Sequence, residues 1–491
     1  MPTTSHGQRL TPVDSAFLKV ETNRAHMHIG WSATFTVAPG AARPTVAGLR
    51  DRAAARLHWL PRCRQRLSAS PLGPLGEPRW VDDERFDLDA HIVELTGAET
   101  VVSDESFARL RDAVLSEPLD RTRPLWQVVL VPRLGDGRVA VVGRVHHAMA
   151  DGTAALLLAG LLLDADAEDG APVPWTPAAA PGRLNAAAGA LGDGAGVARS
   201  LVREGIGAVR RPRSRAQAGL RTARQLVDTV REDLLSPASP SGSIVNAANG
   251  PRRTLVGHRI PLADVRAARA AHGGTINDVA LAIASGALRA LTIESGHEPV
   301  PLKAMIPVSV RRPEEYGELG NRISQVTVWL PLHLDSAGAR LADVRRQTER
   351  FKQTGRADGQ QTLLRGVGLL RGPARDAALR VAASAHAFNL TVSNVRGPRD
   401  PLRLFGAQLD ELCPVVPIGH AHGLAVGMVS HDQDLHLGLH ADPDALPRAV
   451  DLPRLLSAEV DALLDRRPAP RVNGRFTRVA TDAPLVPVPV G

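Results

Sequence analysis

The sequence predicts two α/β units joined by a basic, proline-rich crossover, and three features carry that reading. β-rich runs and helical patterns alternate from about residue 10 to 165. They alternate again from Arg252 to about residue 465. Between the two, the composition shifts to Ala, Gly, Pro and Arg, and Pro172, Pro174, Pro177 and Pro181 exclude regular structure at its start. A chain of 491 residues with 44% hydrophobic content can bury a large core, and its length suits two domains of ordinary size. The pattern divides the chain into units at 1–165 and 251–465, a helical crossover at 166–250 and a basic, Pro-rich tail at 466–491.

In the first unit, Trp126–Val131 and Arg138–Val145 are β-rich runs on either side of Gly135-Asp136-Gly137, which reads as a hairpin turn. Thr153 to Leu163 reads as a buried helix. In the crossover, Gly194 to Leu235 has helical propensity, broken near Pro212. The second unit opens with a helix from Pro261 that stops at Gly273-Gly274. Thr275-Ile276-Asn277-Asp278 then offers capping residues for an Ala-rich helix to about Leu291. Strands are expected at Lys303–Val310, Ile323–Leu332, Asn389–Val395, Leu424–Ser430 and Leu435–His440. In the last of these, Leu435, Leu437 and Leu439 alternate with His436, Gly438 and His440, as on a half-buried strand.

Composition narrows the functional classes. Two distant cysteines, Cys63 and Cys413, exclude a disulfide framework or a Cys-based zinc cluster and suit a reducing cytosol. The first residues lack the apolar core of a signal peptide. The strongly apolar stretch Thr153–Leu163 falls well short of the roughly 20 residues that span a bilayer. A cytoplasmic protein is expected, soluble or peripheral on the inner membrane face or on lipid bodies. The net charge of +8 is concentrated: Arg199 to Arg224 holds eight arginines against one acid, Glu204. That segment is either a solvated helical face or a contact for anionic lipid headgroups. No aromatic interleaving or nucleic-acid motif accompanies it, so no nucleic-acid partner is expected. His420, His422, His431, His436 and His440 form no metal-ligand motif with carboxylates, and no metal is expected.

The chemistry points to His146-His147-Ala148-Met149-Ala150-Asp151-Gly152. A strand-end histidine alone is most often structural, but this one sits in a richer setting. Strand side chains alternate faces, so of His146 and His147 only one faces a given cavity. Asp151 at the mouth of the following helix can fix the loop, and Gly152 permits a backbone approach that a side chain would obstruct. The pattern suits one working imidazole, one buttress and one structural carboxylate. No G-x-S-x-G occurs, and neither cysteine lies in a catalytic motif. The expected role is therefore a general base for an external alcohol or amine.

These residues match the HHxxxDG signature of the CoA-dependent acyltransferase superfamily. More specifically, the chain resembles the bacterial wax ester synthase/acyl-CoA:diacylglycerol acyltransferases. Leu10–Phe17 and Met27–Gly30 resemble that family's opening, Pro118–Arg121 and Pro124-Leu125-Trp126 its PLW block, and Asn277–Ala282 its ND block. Gly320–Ser324 and Ser393–Pro398 resemble two later blocks, with Arg396 standing where the family more often shows proline. The resemblance implies two chloramphenicol-acetyltransferase-like domains forming a pseudo-dimer, with the active site in a channel between them. It implies His147 as general base, with His146, Asp151, Gly152, Asn277 and Asp278 supporting it. Asn277 is either a donor to the oxyanion or simply a helix-capping residue. Implied substrates are long-chain acyl-CoA, as co-substrate with no cofactor, and diacylglycerol or a long-chain fatty alcohol as acceptor, without a covalent acyl-enzyme. The alternatives are a same-fold acyltransferase with another acceptor, polyketide-associated or condensation-type, and a non-catalytic protein binding membranes or lipid droplets.

Overall fold

A computed structural model describes residues 8–70, 77–97, 99–164, 170–180, 182, 238, 243–310, 320–321, 323–354 and 372–466. The Gly194–Leu235 helical stretch with its Arg199–Arg224 segment, and the tail beyond Arg466, lie outside the described residues. In the first half the strands are β1 Gln8–Arg9, β2 His28–Thr36, β3 Gln65–Leu67, β4 Arg79–Asp82, β5 Ile92–Glu94, β6 Trp126–Val131 and β7 Val139–His146. The helices there are α1 Pro12–Val20, α2 Val46–Arg56, α3 Asp104–Ser116 and α4 Gly152–Gly160. The second half contributes β8 Thr254–Pro261, β9 Leu302–Ser309, β10 Ile323–Leu330, β11 Leu390–Arg396, β12 Arg403–Leu404, β13 Ala407–Val415, β14 Leu424–His431 and β15 Asp434–Ala441. Its helices are α5 Leu262–His272, α6 Ile276–Glu294, α7 Ala337–Thr354, α8 Gly372–Ala382 and α9 Leu452–Leu463.

The expected α/β architecture is observed as two six-stranded mixed sheets, each carrying its own core, with a small β1-β4-β3 sheet beside them. The hairpin expected around Gly135–Gly137 joins β6 to β7, with Gly137 at φ +90°. Every residue of β7 is buried, which explains its nearly unbroken apolar run: it lies inside its sheet with both faces covered. The one charge in that run, Arg144, is held by the Val114 and Glu117 carbonyls at 2.5 and 2.6 Å and by Gln127.

In the second half, α6 starts on the capping box of Thr275 and Asp278 and packs against α7 and α9. At 19 residues it is long and apolar enough to cross a membrane, unlike the shorter Thr153–Leu163 stretch, but 72% of its apolar window is buried within the protein. It is the central helix of the second core.

The boundary drawn at residue 251 separates the chain but not the sheets. β12 and β13 return to the first sheet, whose order is β12-β13-β2-β7-β6-β5, and β13 pairs with β2 from Gln408↔Thr36 to Val415↔Gly30. On its way β13 passes over the second sheet, whose order is β10-β9-β11-β14-β15-β8. Gly427, Gly438 and Gly257 stand in lateral register on β14, β15 and β8 and so share one face. A methyl group at Gly438 would overlap the Pro414 carbonyl oxygen, and one at Gly257 would overlap Cys413 Sγ and Glu411. One at Gly427 would stand 3.0 Å from the same carbonyl. The three glycines thus make a side-chain-free track on which β13 lies, and this track is where the two sheets lock.

Candidate active site

β7 delivers the histidine pair between the two halves. His146 and His147 point in opposite directions, as strand alternation requires. His146 is fully buried: its Nδ1 accepts the Ala148 N–H at 2.9 Å. Its Nε2 lies 3.3 Å from Glu21 Oε1, within electrostatic reach though off the hydrogen-bond direction. Burial works against the Glu21 charge, but the His146 imidazole and the Arg121 guanidinium outweigh it and hold the carboxyl down at about 2. His146 therefore braces the turn from within.

His147 faces a cavity of about 470 Å³, within the usual range of roughly 300–1,000 Å³ for ligand sites. Its walls are mainly apolar and come from both halves: Phe17, Trp31 and Leu156 from the first, Met305, Thr391 and Val429 from the second. The ring stacks on Phe17 with centroids 3.8 Å apart and planes 8° from parallel. Its Nδ1 lies 3.0 Å from Asn321 Oδ1. Asn321 Nδ2 donates to Asp14 Oδ1 at 2.7 Å and to the His147 carbonyl at 2.6 Å. Burial, the dominant influence, pushes the His147 pKa down to about 4, so the imidazole is neutral and able to accept a proton at physiological pH.

The surrounding turn is built from backbone chemistry. Asp151 is the N-cap of α4 and accepts the Ala154 N–H at 2.9 Å. Gly152 lines the cavity, and a methyl group there would stand 3.1 Å from Val395 Cγ2 on β11. Ala150 bridges to Gly320, which has φ +112°, a conformation that favours glycine and that directs Asn321 back toward His147.

Asn277 and Asp278 are placed elsewhere. On β11, Thr391, Ser393 and Val395 line the cavity, whereas Asn394 turns away and donates to Asn277 Oδ1 at 3.1 Å. Asp278 closes the α6 capping box and accepts from Thr348 Oγ1 at 2.8 Å. Neither is among the cavity-lining residues, and both act as struts between α6, α7 and β11. Leu125 and Trp126 are buried at the start of β6, where Trp126 pairs with Val145 of β7 and its Nε1 donates to the Cys63 carbonyl at 2.8 Å. His431 and His440 use Nδ1 on the backbone carbonyls of Pro398 and Val416.

Asp14, Phe17 and Asn321 are the site residues to which sequence reasoning assigned no role. Asp14 and Phe17 stand one turn apart on α1, so one helix face supplies both the partner of Asn321 and the ring that stacks on His147. The signal available in sequence was the Thr11–Asp14 capping box, which explains Asp14 by local structure alone.

Residues 10–280 match the profile of the wax ester synthase/diacylglycerol acyltransferase catalytic domain, and residues 319–463 match that of the WS/DGAT C-terminal domain. The chain belongs to this family. It is 30% identical over 478 residues to a probable diacylglycerol O-acyltransferase of Mycobacterium tuberculosis, covering 96% of this chain and 99% of that protein. To the O-acyltransferase WSD of Acinetobacter baylyi it is 29% identical over 474 residues, covering 92% and 96%. Among solved structures, the wax ester synthase/diacylglycerol acyltransferase of Marinobacter aquaeolei VT8 shares the fold with a TM-score of 0.64 at 24% identity, covering 94% of this chain and 99% of that one. The first condensation domain of a calcium-dependent antibiotic synthetase shares it with a TM-score of 0.58 at 15% identity, covering 94% and 97%. This member of the WS/DGAT family is an acyltransferase, and its HHxxxDG turn lies at the cavity between its two halves.

Proposed function

We propose that the chain esterifies a lipid alcohol with long-chain acyl-CoA, making triacylglycerol from diacylglycerol and wax ester from long-chain fatty alcohols. The observation that carries this reading is a buried, neutral imidazole facing a mainly apolar cavity large enough for a flexible acyl chain. With Nδ1 engaged by Asn321, Nε2 is the nitrogen left for the cavity. It takes the proton of the acceptor hydroxyl as that oxygen attacks the thioester carbonyl carbon. The tetrahedral intermediate then expels the CoA thiolate, which is reprotonated by the imidazolium. Burial pushes the Cys63 thiol up to about 12 and raises that of Cys413 as well, so neither offers a thiolate for an acyl-enzyme. In this reading acyl-CoA is a co-substrate and no cofactor is needed. An acceptor this apolar resides in membranes or lipid bodies. The eight arginines of Arg199–Arg224 supply the charge to dock there, each contributing about 1 kcal/mol near an anionic surface.

The test is to incubate the purified protein with labelled palmitoyl-CoA and either dioleoylglycerol or hexadecanol. Labelled triacylglycerol and wax ester are the expected products. CoA release without ester from either acceptor would move the assignment to another acceptor class.

A further inference from the structure

We infer that Asn321 is the positioning residue of this site: its side-chain amide, oriented by Asp14, holds His147 as the Nδ1–H tautomer and leaves the Nε2 lone pair facing the cavity. The inference rests on the reading of His147 as the base, but the tautomer can be tested apart from it.

An amide has one donating and one accepting end, so its neighbours decide which way it points. Asn321 Nδ2 lies 2.6 Å from the His147 main-chain carbonyl, a group that cannot donate. The same nitrogen lies 2.7 Å from Asp14 Oδ1, which also accepts the Asn321 backbone N–H at 3.3 Å. Asp14 Oδ2 is engaged in turn by the Thr11 backbone N–H at 3.0 Å. The NH₂ end is thereby fixed, and Oδ1 must face His147 Nδ1 at 3.0 Å. An amide oxygen only accepts, so the proton of that contact belongs to Nδ1.

Three restraints act on one ring: its own main-chain carbonyl and Asn321 both favour the proton on Nδ1, Asn321 also fixes its rotation, and Phe17, stacked 3.8 Å away, sets its plane. Asp14, Asn321 and His147 are all buried and come from α1, the segment before β10 and the end of β7. The base is therefore correctly prepared only when the two halves are assembled. The other titratable groups acting on His147 are Asp151 and His146, and neither is bonded to its ring nitrogens.

An asparagine that merely tied the halves together would affect stability and leave the imidazole unchanged. Asn321→Ala and Asn321→Asp, made in the full chain, separate the two roles. Asn321→Ala is expected to lower kcat by about 10²- to 10³-fold, because the ring can adopt the unproductive tautomer, while KM for palmitoyl-CoA changes less than about threefold. Asn321→Asp restores an acceptor for Nδ1–H, and its second oxygen stands where Nδ2 met Asp14 Oδ1 at 2.7 Å, so the two carboxyls share one proton there. It is expected to recover part of kcat. Imidazole ¹⁵N spectra of histidine-labelled protein, with the His147 signal identified by its loss in His147→Gln, should show Nδ1 protonated in the wild type. Wild-type kcat in folded Asn321→Ala, or a proton on Nε2 of wild-type His147, would overturn the inference. Should Asn321→Ala fail to fold, the wild-type spectrum decides. Full activity in His147→Gln would sink the base reading while the tautomer result stood on its own.

Discussion

His147→Ala is expected to lower kcat for ester formation by about 10³-fold, within the 10²- to 10⁴-fold that a positioned general base contributes. The remaining activity comes from holding acyl donor and acceptor together in one cavity. The change also removes the ring stacked on Phe17 and leaves Asn321 Oδ1 without its donor, which costs about 1–3 kcal/mol of stability. Rates should therefore be compared at equal amounts of folded protein, with His147→Gln as the better-filled companion. His146→Ala is expected to act differently, because His146 bonds the turn backbone and faces Glu21 rather than the cavity. An inactive His146→Ala beside an active His147→Ala would reverse the two roles.

Gly438→Ala carries the largest expected effect on the fold. Glycine within a strand is ordinarily a weakness, and its replacement by alanine favours the folded state by about 0.5–1 kcal/mol where the site has room. At Gly438 the new methyl group overlaps the Pro414 backbone carbonyl, which cannot rotate aside as a side chain could. β13 must lift off β15, and β13 is also the strand that completes the first sheet beside β2. A loss of about 3 kcal/mol or more is expected, a large fraction of the roughly 5–15 kcal/mol that holds a protein folded. Gly160→Ala, at the end of α4 with nothing within 4 Å of the added carbon, is the matched control and should be neutral or mildly stabilising. Denaturant unfolding of the two variants checks the contrast, and equal midpoints would rule out the glycine track as the lock between the sheets.

Local pattern made much of this molecule legible. The β6–β7 hairpin, the strand that ends in the histidine pair, α5, the start of α6 and the five later strands all announce themselves by periodicity, turn residues or caps. The strands that join the halves do not. β13 reads Ala-Gln-Leu-Asp-Glu-Leu-Cys-Pro-Val, and its register shifts between Leu409 and Glu411, which breaks the period of two. Its partner β2 lies more than 370 residues earlier, and the contact Thr34 to Asp410 spans 376. β2 itself is diluted by Gly30, Ser32 and Thr34, and its place between β7 and β13 satisfies its backbone on both edges.

The site divides in the same way. The HHxxxDG turn is contiguous and readable, whereas the residues that orient its imidazole arrive from elsewhere: the His147–Asn321 contact spans 174 positions. Asn277 and Asp278 show the converse. They belong to a block resembling the family's, yet the capping of α6 and the Asn394 and Thr348 contacts account for both. A helix-capping signal explains a residue by local structure and leaves open whether tertiary packing brings its side chain to a cavity.

The proposed reaction is a direct transfer, in which acyl-CoA and acceptor meet at His147 and no acyl-enzyme forms. Initial rates measured with palmitoyl-CoA varied at several fixed concentrations of acceptor test it most directly. Double-reciprocal lines that intersect, as a ternary complex requires, are the predicted result. Parallel lines, with labelled acyl group retained on the protein in the absence of acceptor, would contradict it.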